Sequence, residues 1–285
     1  EPVKEFEPTK IPMDFKEAQR LGLVRRPTDV VVTISDDRGD VPKFAGIGLD
    51  KIIRENRSIG YVIGLLWFKK ELPEFAQQFI EMVIKLTADH GPAVSGAHNA
   101  IVAARAGKDL MSSLASGILT IGPRFGGAIS DAAKYFKKAM KERMKPQEFV
   151  DYMKNVEKIN IPGIGHRIKS VQNPDVRVEL LKEFVFKNFP KHPHLDYALK
   201  VEKITSAKRN NLILNVDGCI GITFLDLLEN LDFTEEEIED IIYSETLNGL
   251  FVLGRSIGMM GHVFDQKRQR AGLYRQPWDE ILFTD

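Results

Sequence analysis

The 285-residue sequence lacks the usual marks of disulfide-rich, membrane-spanning and nucleic-acid-binding proteins. It has a single cysteine, Cys219, so no internal disulfide can form and we expect a reducing, cytoplasmic compartment. The longest apolar run, residues 59–68, is half of the ~20 residues that span a bilayer. The 40 basic and 40 acidic side chains cancel, which argues against nucleic-acid binding through bulk positive charge.

Motifs for common cofactors are also missing. Gly107-Lys108 lacks the upstream glycine of a phosphate loop, and no Gly-x-Gly-x-x-Gly follows a strand. His90 and His98 lack the i, i+4 spacing of a helical zinc site. Cys219 lies in an apolar run with no base nearby in sequence, which predicts a buried structural thiol. We therefore expect no ATP, NAD or metal site in this chain.

The N-terminal region is expected to be an arm followed by a hairpin. Four prolines interrupt the polar residues 1–28, and the chain begins at Glu1, which predicts a processed product or a fragment. The β-branched residues 30–34 predict a strand, residues 36–39 a turn and residues 43–45 the returning strand.

From about residue 50 the spacing of apolar residues is helical. Residues 75–86 and 149–156 each place their apolar side chains on one face, and Thr234 with Glu237 matches a capping box. Residues 212–216 are compatible with a strand or a buried helix. The chain is thus predicted to be mainly α, with a smaller lobe (131–221) inserted into a larger one (29–130 and 222–285).

Two short motifs carry the most chemistry. Residues 163–167, Gly-Ile-Gly-His-Arg, place His166 beside Arg167 on a permissive turn. An adjacent cation lowers the pKa of an imidazole, so His166 can act as a base or hydrogen-bond donor near pH 7. Asp217 precedes a glycine after an apolar run, which fits either an ordinary Asp-Gly turn or a carboxyl in a cleft with a raised pKa.

Further candidates lie beside turn-forming residues. His90 is expected at a helix C-terminus, because Gly91-Pro92 follows it. Arg167, Arg177, Arg255 and Arg275 each lie within three residues of a glycine or a proline. Each alone fits a solvated salt bridge, but guanidinium forks bind carboxylates, so together they suit a substrate with several carboxylates.

These motifs together resemble the citryl-CoA lyase module at the C-terminus of ATP-citrate lyases, which is similar to citrate synthase. The resemblance runs from about residue 29 to the end, and it is carried by residues 87–99, 120–127, 163–170, 215–218, 252–256, 265–268 and 272–275. It implies an all-α, citrate synthase-like fold with a large and a small domain. It also implies a homodimer or homotetramer, with the ATP-dependent citryl-CoA synthetase part of the same enzyme as a partner.

The resemblance also implies roles for individual residues. His90, His166 and Asp217 correspond to the catalytic residues, and Arg167, Arg177 and Arg255 to the arginines that bind the substrate carboxylates. Arg275 corresponds to an arginine that reaches in from the partner subunit. Ile164, Gly165 and Lys208 are expected along coenzyme A, which takes part as a thioester substrate.

The implied reaction is cleavage of citryl-CoA to acetyl-CoA and oxaloacetate. His166 is expected to take the hydroxyl proton, and a protonated Asp217 to protonate the acetyl-CoA enolate. Citrate synthases have a histidine where this sequence has Phe125, and its absence favours cleavage over condensation. The alternatives are a stand-alone citryl-CoA lyase, a citrate synthase, and a non-catalytic oligomerisation module.

Overall fold

The computed structural model describes residues 15–23, 30–122 and 125–284. Most of the predicted arm, residues 1–28, lies outside these ranges. The described residues form the helices α1 (Phe15–Arg20), α2 (Leu49–Arg54), α3 (Ile59–Phe68), α4 (Glu74–Thr87), α5 (Ser95–Arg105), α6 (Leu110–Ile118), α7 (Ala128–Lys141), α8 (Pro146–Tyr152), α9 (Val176–Asn188), α10 (Pro193–Lys208), α11 (Val216–Asn230), α12 (Glu235–Tyr243) and α13 (Thr246–Arg268). A π-helical turn (Met153–Glu157) follows α8, and a 3₁₀ turn (Trp278–Glu280) lies near the C-terminus. The prediction of a mainly α fold is confirmed.

The chain divides into two compact units, Glu1–Glu81 and Met82–Asp285, and the boundary falls inside α4. The smaller predicted lobe, residues 131–221, falls inside the second unit, and the larger lobe includes residues of both units. This division into two lobes stays a prediction. None of the described helices is both long and apolar enough to cross a membrane.

The first unit contains a small antiparallel sheet of three strands, β1 (Ser35–Asp36), β2 (Lys43–Phe44) and β3 (Ile47–Gly48), in that order. The hairpin between β1 and β2 confirms the predicted turn and return. The predicted strand at residues 30–34 is wrong, because pairing begins only at Ser35, opposite Phe44. Val30 is 84% exposed, so the β-branched residues have no partner strand to cover them.

The helices predicted from apolar spacing are present. Phe79 and Val83 of α4 are fully buried, as the shared face requires. Pro146 is the first residue of α8, where its missing N–H costs nothing. At α12 the capping box is complete, because Thr234 accepts from the Glu237 amide and the Glu237 carboxylate accepts from the Thr234 amide.

The second unit is built around α11, which is buried along most of its length. It packs closely on α7, where a Cβ at Gly221 would lie 2.3 Å from the carbonyl oxygen of Ile129. A second helical layer joins α5, α6 and α13 through Ala100, Met259 and their neighbours. The ambiguous residues 212–215 are neither strand nor helix: Leu214 forms an isolated bridge with Ile164, and α11 begins at Val216.

Candidate active site

The two motifs singled out in the sequence are joined directly through the backbone. Gly163 has φ +84°, and a Cβ there would lie 2.4 Å from the Cα of Gly218. The Asn215 amide donates to the Gly163 carbonyl at 2.9 Å, and its side-chain amide donates to the Gly165 carbonyl at 3.0 Å. Asn215 also caps α11 by accepting from the Gly218 amide. The turn before His166 and the helix start that carries Asp217 therefore form one element.

His166 is held at both its backbone and its ring. Its amide donates to the Asn211 carbonyl at 2.9 Å, and its carbonyl accepts from the Asn211 side chain at 3.0 Å. The ring Nδ1 accepts from the backbone amides of Ile168 and Lys169, at 3.0 and 2.9 Å. Because Nδ1 is an acceptor, a neutral His166 carries its proton on Nε2. The ring therefore offers a hydrogen-bond donor, and not a free lone pair, to a ligand.

Asp175 and Arg177 form a buried ion pair beside this ring. The Arg177 fork donates from Nε to Oδ1 at 3.0 Å and from Nη2 to Oδ2 at 2.6 Å. The Nε2 atom of His166 lies 3.8 Å from Oδ2 of Asp175. Burial acts to raise the pKa of Asp175, but the hydrogen bonds from Arg177 outweigh it and hold the pKa below its ordinary value.

His90 follows α4 in a short turn that is packed on α13. The Gly258 amide donates to the Ala88 carbonyl at 3.0 Å, and a Cβ at Gly258 would lie 2.2 Å from that oxygen. Asp89 accepts from the Gly91 amide at 3.1 Å, and its Oδ1 lies 3.0 Å from Nε2 of His262. The turn is thus tied to α13 through Ala88 and Asp89, the two residues directly before His90.

Arg255 projects from α13 and is only 3% exposed. Its Nε donates to the Thr87 carbonyl at 3.0 Å, and its guanidinium lies over the rings of Phe251 and Phe125, 4.8 and 5.6 Å from their centroids. Its Nη1 has no hydrogen-bond partner among the described residues. A buried guanidinium nitrogen without an acceptor is costly, so this atom is well suited to a carboxylate ligand.

Asp217 lies in the first turn of α11. The residue as a whole is half-buried, but its carboxyl group is strongly desolvated. Burial raises the pKa of Asp217, and this outweighs the lowering by Arg177 and Arg255. A carboxyl with a raised pKa can keep its proton and donate it.

The pKa values of His90 and His166 are shifted downward, opposite to that of Asp217. Burial lowers the pKa of His90, and the positive charges of Arg177 and Arg255 lower it further. Burial also lowers the pKa of His166, against the opposing effect of Asp175. Both imidazoles are therefore held neutral near pH 7.

The electrostatic effects of these charges on one another's pKa values show which predicted residues the fold brings together. His90, His166 and Asp217 all lie within the electrostatic reach of Arg177, and His90 and Asp217 also lie within that of Arg255. Arg167, Lys208 and Arg275 are exposed, and no contact among the described residues joins them to this group. Ile164 and Gly165 lie against residues 212–215.

Asp175 and Phe251 belong to this site, and the sequence analysis missed their contribution. In the sequence, Asp175 has the pattern of an ordinary turn residue. Its position two residues before Arg177, at the start of a helix, is the signal that could have identified it as a helix cap beside the arginine. Phe251 lies four residues before Arg255, the spacing that brings side chains together on a helix. The role of Phe251 can be recognised only in the folded chain, where the guanidinium of Arg255 lies over its ring.

The described residues contain no group of three side chains able to hold a metal ion. The backbone at Gly165 is accessible, because a Cβ there would meet only the Leu212 side chain, at 3.6 Å. The site thus combines a carboxyl whose pKa is raised, two imidazoles whose pKa values are lowered, and two arginines. Such a set can bind a carboxylate substrate and move protons during carbon–carbon bond cleavage or formation.

Comparison with known proteins identifies relatives of this chain. The family model of the citrate synthase C-terminal domain matches residues 44–276. The ATP-citrate synthase beta chain protein 1 of Arabidopsis thaliana is 57% identical over 284 residues, which cover 99% of this chain and 46% of the relative. The chain therefore spans about half the length of this curated relative.

Solved structures give the same result. The ATP citrate lyase of Methanothrix soehngenii, in complex with citrate and coenzyme A, is 56% identical with a TM-score of 0.87, over 100% of this chain and 46% of the other. A mutant ATP citrate lyase of Methanosaeta concilii, in complex with (3S)-citryl-CoA, matches with the same identity, TM-score and coverage. The resemblance seen in the sequence motifs is confirmed.

Proposed function

The chain belongs to the citrate synthase family, and from that premise we propose that it cleaves citryl-CoA to acetyl-CoA and oxaloacetate, as the lyase module of an ATP-citrate lyase. One observation carries the proposal. His90, His166 and Asp217 are distant in sequence, yet all three are under the influence of the same arginine, Arg177. The pKa of the carboxyl is raised and those of both imidazoles are lowered, which is the arrangement that an acid and neutral partners need.

Arg177 and Arg255 bind the oxaloacetate half of the substrate in this proposal. Each uses part of its guanidinium for protein contacts, and the buried Nη1 of Arg255 has no acceptor among the described residues. A carboxylate can accept from each fork and offset the positive charge. We also assign Arg167 to substrate binding, because it follows His166 directly and is exposed.

The coenzyme A half is placed along the Ile164-Gly165 turn, with Lys208 near its phosphates. Gly165 leaves open space at its Cα, and Lys208 is an exposed cation at the end of α10, four residues before Leu212. Coenzyme A is here a substrate and product thioester. Support comes from the Methanothrix soehngenii relative, whose structure is a complex with citrate and coenzyme A.

The reaction breaks the bond between the central carbon of the citryl group and the methylene next to the thioester. The hydroxyl oxygen becomes the ketone of oxaloacetate, and the bonding electrons pass to the methylene carbon as the enolate of acetyl-CoA. The raised pKa of Asp217 favours its protonated form, and in this proposal Asp217 gives its proton to that carbon and ends as a carboxylate.

The hydroxyl proton needs a base with a free lone pair. The sequence favoured His166, but its Nδ1 is engaged by two amides, so its Nε2–H serves better as a donor to the substrate oxygen. We therefore assign proton acceptance to His90, whose lowered pKa keeps it neutral. Both histidines remain in the catalytic group.

Further elements of the proposal concern assembly. Arg275 is exposed in its own chain, and Leu273, Trp278 and Leu282 around it are exposed apolar side chains, so we place Arg275 in the site of a partner subunit in a homodimer or homotetramer. Because the chain spans 46% of its Arabidopsis thaliana relative, the ATP-dependent synthesis of citryl-CoA is assigned to another part of the same enzyme. A free buried cysteine supports a cytoplasmic location.

The direct test adds citryl-CoA to the purified chain and follows oxaloacetate formation. We expect turnover by the wild type and a fall of roughly 10²-fold or more for Asp217→Asn, the scale of a lost general acid. Asp131→Asn, an exposed acid in the first turn of α7, is the matched control and should keep full activity. A chain that leaves citryl-CoA intact would be a non-catalytic module, and faster condensation than cleavage would indicate a citrate synthase.

A further inference from the structure

Asp175 is a buried carboxylate to which the reaction above gives no task. It is 4% exposed and forms the N-cap of α9, where its side chain accepts from the Arg177 amide at 3.0 Å. A cap needs only one oxygen acceptor, and asparagine or serine supplies it equally well. A charged, almost fully buried carboxylate is far more costly than that purpose requires.

The rest of the carboxylate is used to orient Arg177. Both oxygens accept from one edge of the guanidinium, from Nε at 3.0 Å and from Nη2 at 2.6 Å. A two-point contact fixes the plane of the fork as well as its position. These two contacts leave the opposite edge of the guanidinium for other acceptors, and 19% of the Arg177 side chain is exposed.

The same carboxylate also lies beside the reactive nitrogen of His166. Its Oδ2 is 3.8 Å from Nε2, the atom that carries the ring proton. The other ring nitrogen, Nδ1, accepts hydrogen bonds from the backbone amides of Ile168 and Lys169. The ring is therefore fixed on one side by backbone and faces a negative charge on the other, while Lys169 and Arg177 supply positive charge nearby.

We propose that Asp175 is a positioning residue, which sets the orientation of Arg177 and of the His166 Nε2–H bond toward the dicarboxylate end of the substrate. The inference rests on the proposed function and adds to it a residue that touches neither substrate nor coenzyme A. Outer-shell partners that orient metal ligands contribute 10- to 100-fold to affinity or activity, and we expect a carboxylate that orients a substrate-binding arginine to act on the same scale.

The experiment uses Asp175→Asn, which keeps the helix cap and the size of the side chain but removes its charge. Asp109→Asn is the matched control, because Asp109 caps α6 by accepting from the Ser112 amide and has no contact with the site among the described residues. We expect kcat/KM for citryl-CoA to fall 10- to 100-fold in Asp175→Asn, with a higher KM and a lower kcat, and to stay within about twofold in Asp109→Asn.

The split between KM and kcat separates positioning from folding. A purely structural loss lowers the fraction of active enzyme, which reduces kcat and leaves KM unchanged. If Asp175→Asn does not fold, Asp175→Ser keeps the cap in a smaller side chain and is measured in the same way. An unchanged KM in the variant that folds overturns the inference.

Failure of the proposed function gives a different result. A wild type that cleaves no citryl-CoA rejects the lyase activity, and calorimetric binding of oxaloacetate then tests Asp175 by itself. We expect the Asp175 variant to bind oxaloacetate at least tenfold more weakly than Asp109→Asn does. Equal affinities, or no binding by the wild type, overturn the inference.

Discussion

At the scale of single residues, the site depends on polar atoms that the protein leaves unsatisfied. Nη1 of Arg255 is buried without a partner among the described residues, and burial lowers the pKa of this guanidinium. Desolvation also raises the pKa of Asp217. The cost at Arg255 falls when a carboxylate ligand accepts from Nη1, so free energy of folding is exchanged for affinity. The same negative charge raises the pKa of Asp217 further and so favours its protonated form.

The fork of Arg255 can be tested without removing its charge. We expect Arg255→Lys to lower kcat/KM for citryl-CoA by roughly 10- to 100-fold, mainly through KM, because an ammonium cannot keep the Thr87 contact and the carboxylate contact together. Steady-state kinetics measure the effect. Arg268→Lys is the control on the same helix, since Arg268 also lies over an aromatic ring, that of Phe264. Equal losses in both variants would contradict a specific role for Arg255.

A second buried carboxyl predicts a pH effect on stability. Burial raises the pKa of Asp226 to about 6, against the amides of His194 and Leu195 that donate to it. Because the folded pKa exceeds the unfolded value, the stabilisation by the bound proton is complete below pH ~4 and lost as the pH rises through about 6. We expect Asp226→Asn to remove this loss, which amounts to about 3 kcal/mol.

Denaturant unfolding of the wild type and Asp226→Asn at pH 4 and pH 7 measures this difference. Asp240→Asn, an exposed aspartate on α12, provides the control and should follow the wild type at both pH values. If the free energy of unfolding changes equally between pH 4 and pH 7 in the wild type and in Asp226→Asn, Asp226 does not titrate in this range.

At the scale of secondary-structure elements, the proposed catalytic group is assembled mostly from helix ends and turns. Asp217 lies in the first turn of α11, Asp175 caps α9, His90 follows α4, and Arg255 lies within α13 at the level of Thr87. The closest of these junctions is the one between Gly163 and Gly218, where two backbones touch. Small residues at both positions are what allow it.

Gly163→Ala should damage this junction. Gly163 has φ +84° and almost no space for a Cβ, whereas Gly107 has φ +86° and no atom within 4 Å of one. We expect Gly107→Ala to cost about 1 kcal/mol for the positive φ. Gly163→Ala should cost a further 1–3 kcal/mol, roughly, for the overlap. Urea unfolding measures both, and equal costs would show that the loop simply moves away.

At the scale of the whole molecule, the sequence predicted much of the helical fold because apolar spacing depends on local geometry. The helices at residues 74–87 and 235–243 follow from such spacing and from the Thr234 cap. The strand at residues 30–34 was wrong, since β-branched composition does not say whether a partner strand exists. Asp175 was missed for a related reason: its role depends on His166 and Arg177, which only the folded chain brings to it.

A whole-molecule prediction follows from the proposed placement of Arg275 in a partner's site. Asp217→Asn and Arg275→Ala are each expected to be nearly inactive alone. Co-expressed, they should form mixed dimers in which one site has both native residues, and random mixing should restore about a quarter of wild-type activity. Activity assays on the co-purified chains measure this. No recovery in mixed dimers would mean that Arg275 serves its own subunit or none.

The glycine contact between residues 163 and 218 has a consequence for how such an enzyme can change over evolutionary time. A contact between two glycines has no side chain to trim, and a substitution that adds one is selected against because it disrupts the contact. The distance between the turn that carries His166 and the helix that carries Asp217 therefore changes little when the surrounding residues are substituted. New substrate preferences must then arise at the arginines and loops that frame this fixed pair.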